Sequence, residues 1–123
     1  MRALGVGEWC RQTLGYRLDM EHAGKDLCEW VVHEMDRTPP DVAAAMHDCF
    51  EGVDTLPLLP GIKAPVLLLS GDKSPIASAQ QKTFAETLPN GRVESVAGVG
   101  HGVNLLQPER CARVAVEFWR SMA

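Results

Sequence analysis

Apolar residues recur at helical spacing through the first fifty residues of the chain and then give way to unbroken apolar runs. Between Gly24 and Arg37, Leu27, Trp30, Val31 and Met35 form one stripe, while Lys25, Asp26 and Glu29 lie largely elsewhere. That spacing predicts a helix with one apolar face. Thr38-Pro39-Pro40-Asp41 reads as the start of another. Thr38 is placed to cap it, Pro39 suits the first turn, and Asp41 favours the positive end of the helix dipole. Val42, Ala45, Met46, Cys49 and Phe50 follow at helical spacing, and Gly52 ends the segment.

The texture changes at Leu56-Pro57-Leu58-Leu59-Pro60-Gly61. Pro57, Pro60 and Pro65 exclude a helix and predict a stiff connector. Val66-Leu67-Leu68-Leu69 then runs without a polar interruption up to Ser70-Gly71-Asp72. A continuous run, rather than an alternating one, is what a strand buried on both faces requires, and it points to a parallel sheet between helices. Ser74 and Pro75 open the next turn, and a helix is expected from Ser78 to Leu88, with Ala77, Phe84, Ala85 and Leu88 inward. Pro89-Asn90-Gly91 stops it. Arg92 to Val96 reads as a second strand, and Pro108 to Met122 as a closing helix. On that helix Cys111, Val114, Ala115, Phe118, Trp119 and Met122 face one way, with Arg110, Arg113, Glu117 and Arg120 opposite, so it is expected to pack flat on a sheet.

The expected fold class is α/β: a helical, cap-like segment over residues 1–55, then a β-α-β-α unit with parallel strands over 56–123. Two strands make a poor parallel sheet alone, because open edges invite pairing with another chain. A homodimer is one expected escape.

Composition narrows the function classes. The chain has 123 residues, a net charge of −4, and 46% hydrophobic against 23% charged residues, as in ordinary globular domains. Lys and Arg are scattered, so no footprint for nucleic acid is visible. No apolar run approaches the roughly 20 residues that span a bilayer, and the first residues lack a signal-peptide core. The chain therefore reads as soluble and cytoplasmic, without a membrane partner. Cys10, Cys28, Cys49 and Cys111 show no CxxC pairing and read as reduced thiols. His22, His33 and His47 read as isolated surface or helix-flank residues. No metal site is expected.

Chemistry in open α/β sheets gathers beyond the carboxyl ends of the strands. Two stretches stand there: Ser70-Gly71-Asp72-Lys73-Ser74-Pro75 and Gly98-Val99-Gly100-His101. Glycines let the backbone turn sharply and leave the His101 imidazole projecting from a loop. A histidine so placed can take a proton from a nucleophile when a carboxylate orients its other nitrogen.

The stretches IKAPVLLLSGDKSPI, LPNGRVESVAGVGH and PERCARVAVEFW resemble the C-terminal part of an α/β-hydrolase. Residues 1–55 resemble, more weakly, the cap inserted before that part. The resemblance implies that His101 is the general base of a catalytic triad. It places the acid within G-D-x-D-P, where this chain has Ser74, and a serine cannot stabilise an imidazolium as a carboxylate does. Asp72 is then either a substitute catalytic acid or a polar turn residue; some relatives carry the acid after an earlier strand, before the cap, and if this chain follows them that residue lies upstream of Met1. None of Ser70, Ser74, Ser78, Ser95 and Ser121 stands in the G-x-S-x-G nucleophile elbow.

The implied function is part of a serine-type hydrolase of small esters, amides or lactones, completed by an N-terminal hydrolase chain. Trp9, Trp30 and Met35 would shape an apolar pocket, and no organic cofactor or metal is implied. The alternative is a non-catalytic, self-associating fragment that binds at most a small apolar molecule. A truncated product without a selected function is a third reading.

Overall fold

A computed structural model describes residues 2–122, except for the side chains of residues 75–78. The chain divides into two compact units, Met1–Asp54 and Thr55–Ala123.

The first unit is helical: α1 (Val6–Gln12), a 3-10 turn at Leu14–Tyr16, α2 (Lys25–Asp36) and α3 (Pro40–Asp48). Its core consists of Val6, Cys10, Leu14, Leu18, Val32 and Ala44. α1 packs on α2 at Gly7, where a Cβ would come within 2.7 Å of the Asp36 side chain. The close approach has a second effect. Gly5 caps α1 without a side-chain bond, and Asp36 Oδ1 instead accepts from the Gly7 N–H at 2.7 Å. A carboxylate from the end of α2 thus satisfies a donor that the first turn leaves free, at the positive end of the helix dipole.

Three expectations change here. Thr38 does not cap α3: Pro39 is the N-cap residue, with φ −56° and ψ 136°, and Pro40 is the first helical residue. The ring of Pro40 clashes with a helical conformation at the residue before it, so the helix cannot begin earlier. The buried centre of α2 is Val32, whereas Trp30 is 52% exposed. On α3 the expected stripe of Val42, Ala45, Met46, Cys49 and Phe50 is exposed, Phe50 by 70%, and Ala44 is buried instead. A small residue is what lets a short helix approach a core closely.

The second unit opens with Leu56–Gly61. The prolines do exclude an α-helix, but the segment winds as a 3-10 turn that buries Leu59. The fixed φ of proline is compatible with that tighter winding. Then come β1 (Val66–Gly71), α4 (Pro75–Thr87), β2 (Gly91–Val96), α5 (Val103–Leu106) and α6 (Pro108–Arg120). β1 and β2 pair in parallel, in a register running from Val66 opposite Gly91 to Gly71 opposite Val96. α4 therefore begins earlier than Ser78; Ala77, assigned to its apolar face, lies outside the described side chains. Ser74 is the N-cap residue of α4 but makes no capping hydrogen bond through its side chain.

α4 packs on both strands, while α5 and α6 pack on β1. The small core joins Val96, Val99 and Val103 with Leu69 and Cys111. Val66–Ser70 are half-buried, and among the described residues β1 has one hydrogen-bonded neighbour, which leaves its other edge open. On α6, Phe118 is buried and Cys111, Val114 and Ala115 are half-buried, but Trp119 is 65% exposed and Met122 is exposed as well. The arrangement is a partial α/β fold.

Candidate functional site

The candidate site stands at the carboxyl ends of β1 and β2, where two loops interlock. β1 ends in Gly71, whose position is set by steric exclusion. A Cβ there would lie 2.2 Å from the Val99 carbonyl oxygen and 2.3 Å from that of Gly100. Only glycine admits the second loop so closely.

Hydrogen bonds fix this approach. Asp72 N–H donates to Val96 O at 3.1 Å, and Lys73 N–H donates to Val99 O at 3.0 Å. In the opposite direction, the Gly98 N–H donates to Asp72 Oδ1 at 2.8 Å. Gly98 and Gly102 both take left-handed backbone conformations, with φ of 84° and 83°. The chain therefore reverses on either side of His101, and α5 starts directly after it. Val99 and Val103 are drawn into the core while His101 is exposed. Alternating glycines with buried valines anchors the loop and presents the imidazole to solvent.

Among the described residues, no hydrogen bond or ion pair joins Asp72 to His101; the Asp72 carboxylate bonds the histidine loop's main chain at Gly98. Ser74 is 3% exposed, and its Oγ has no hydrogen-bond partner among the described residues. Ser70 belongs to β1, opposite Ser95, and its Oγ accepts from Gln81 Nε2 of α4. It is a structural hydroxyl. The sequence reading missed the Gly71 contact and the Asp72–Gly98 bond, although both use glycines that the motif displays.

In the helical unit, a cavity of ≈ 270 Å³ is lined by Arg2, Trp9, Ala44, His47 and Asp48. It includes Trp9 but neither Trp30 nor Met35, and the Arg2–Asp48 ion pair at 2.9 Å gives it a polar wall. The Arg17 guanidinium stacks 4.2 Å from the Trp9 ring centre. His22 is not isolated: its Nδ1 lies 2.8 Å from Asp19 Oδ2, and with Glu21 these residues form a partly exposed group of potential metal donors. Burial pushes the Cys10 thiol above its ordinary value of 9.0, against weaker opposing pulls from Arg17 and Arg11. Cys10 is a core residue, completely buried.

Together, the parallel β-α-β-α unit and the histidine loop at its carboxyl edge define part of an α/β-hydrolase fold. Solved structures of that family superimpose on the chain. An esterase from Thermogutta terrifontis matches 94% of this chain and 47% of its own, with 26% identity and a TM-score of 0.75. MenH from S. aureus matches 94% of this chain and 44% of its own, with 18% identity and a TM-score of 0.75. Proline iminopeptidase from Mycobacterium smegmatis matches 56% of this chain and 23% of its own, with 25% identity and a TM-score of 0.52. The chain thus spans less than half the length of each of these proteins. No family model and no curated protein sequence matches it. Among the described residues, no helix is long and apolar enough to cross a membrane.

Proposed function

We propose that this chain supplies the general-base histidine, His101, to a serine-type hydrolase of small esters, amides or lactones. The observation that carries this reading is the construction of the histidine loop. Glycines in left-handed conformation flank His101, the loop seats on Gly71, and the imidazole stands exposed at the carboxyl edge of the sheet. In the mechanism, His101 takes the proton from a nucleophilic hydroxyl as it attacks the carbonyl and returns it to the leaving group. The nucleophile and the oxyanion donors come from an N-terminal hydrolase portion, in keeping with the esterase relative, of which this chain covers 47%. Positioned proton transfer is worth about 10²–10⁴ in rate. The test joins the chain to the portion of the Thermogutta terrifontis esterase that it leaves uncovered and measures turnover of a p-nitrophenyl ester. His101→Ala is expected to lower turnover at least a hundredfold, whereas equal activity of the two proteins overturns the reading.

A second reading is a non-catalytic chain that self-associates. It is favoured by the half-exposed strand Val66–Ser70 and by the exposed Trp119 and Met122. Sedimentation of the 123-residue chain distinguishes them: a dimer at micromolar concentration supports it, and a monomer at high concentration removes it.

A further inference from the structure

We infer that Asp72 is a positioning residue for His101, acting through the main chain of the histidine loop and not as the partner of the imidazole. The inference rests on the reading of His101 as the general base but is tested by a separate observable. Among the described residues, hydrogen bonds tie the segment after β1 to the end of β2 and to the loop that follows it, and three of them bear on the placement of His101. Two are main-chain bonds, Asp72 N–H to Val96 O and Lys73 N–H to Val99 O, and they survive a change of side chain. The third depends on one side chain, the Asp72 carboxylate that accepts from Gly98 N–H at 2.8 Å.

The location of that third bond gives it leverage. β2 ends at Val96, so the Gly98 N–H lies beyond the ladder and has no strand carbonyl to receive it. Gly98 is also where the backbone turns left-handed, at φ 84°. A donor held at that residue fixes the direction in which the chain leaves the strand, three positions before His101. Gly71 blocks sliding of the next two peptides, because Val99 O and Gly100 O already rest against it. Translation is limited by Gly71 and rotation by Asp72. A carboxylate acceptor makes a shorter, stronger bond to an N–H than a neutral oxygen does, yet an amide oxygen of the same shape occupies the same place. Asn is therefore expected to replace Asp here, which an imidazolium partner would not tolerate.

The experiment is amide exchange and proton–nitrogen NMR on the labelled 123-residue chain, comparing wild type with Asp72→Ala and Asp72→Asn. In Asp72→Ala the Gly98 amide is expected to exchange about tenfold faster, with an upfield shift of its proton and displaced His101 ring resonances. In Asp72→Asn the Gly98 exchange rate is expected within about threefold of wild type, with the His101 ring resonances retained. Unchanged Gly98 exchange in Asp72→Ala overturns the inference. So does a His101 ring signal displaced equally by both variants, because charge rather than geometry would then link the two residues. If Asp72→Ala does not fold, Asp72→Asn decides alone: retained Gly98 protection supports the inference and lost protection overturns it. Full ester turnover in His101→Ala would refute the general-base reading while leaving the Gly98 result interpretable.

Discussion

Gly71→Ala probes the contact on which the candidate site depends. The added methyl would lie 2.2 Å from Val99 O and 2.3 Å from Gly100 O, and both are main-chain atoms that cannot rotate away. Ordinary van der Waals contact needs about 3.4 Å, so the loop or the end of β1 must retreat by roughly 1 Å. Overpacking of that kind costs about 1–3 kcal/mol. The same retreat stretches Lys73 N–H to Val99 O, now 3.0 Å, and Gly98 N–H to Asp72 Oδ1, now 2.8 Å. Each of the two weakened bonds adds about 0.5–1.5 kcal/mol, giving a total of about 4 kcal/mol. At a urea slope near 2 kcal/mol per molar, the unfolding midpoint falls by about 2 M, read by circular dichroism. Gly61→Ala is the control, since its Cβ meets nothing within 4 Å; it is expected to stay within about 0.5 kcal/mol of wild type. A Gly71→Ala chain with an unmoved midpoint and unchanged Gly98 and His101 resonances would refute the interlocked-loop description.

The remaining predictions concern the helical unit and the thiols. Asp36→Ala removes the acceptor of the Gly7 N–H and is expected to destabilise α1 by about 1 kcal/mol, seen as faster Gly7 amide exchange; unchanged exchange would count against the cap. Cys49 is exposed and Cys10 fully buried, so a thiol reagent is expected to modify Cys49 first and Cys10 only on unfolding. The folded-state value of Cys10 is raised above 9.0 by burial, so above that pH the unfolded chain loses this proton first. Its contribution to stability is therefore present below pH 9.0 and declines as pH rises further. Cys10→Ala is expected to flatten that part of the stability profile, and an identical alkaline decline in the variant would contradict it.

The parallel strands and the α/β class were legible because an unbroken apolar run between turn residues has few other uses. Val66–Leu69 and the Pro89-Asn90-Gly91 stop carried that information. The phase of the helices was less legible. Val42, Met46 and Phe50 form a good stripe, yet periodicity says which side chains share a face and not whether this chain covers it. The start of α3 departs from the pattern for a different reason: Pro40 restricts the residue before it, and that steric rule outweighs the capping preference of Thr38. At the site, the motif pointed to His101 and Asp72, but sequence spacing carries no record of which carboxylate oxygen meets which N–H. The bond from Gly98 depends on the parallel register and on how far Gly71 lets the loops approach. Those are tertiary facts.

Chemical rescue of His101→Ala tests the central claim most directly. His101 is exposed, so imidazole from solution can reach the space left by its ring. In the chain completed by the esterase portion, ester turnover is expected to fall at least about a hundredfold on substitution and to recover severalfold with added imidazole. Turnover that survives the substitution, or a loss that imidazole leaves unchanged, would contradict the assignment of His101 as general base.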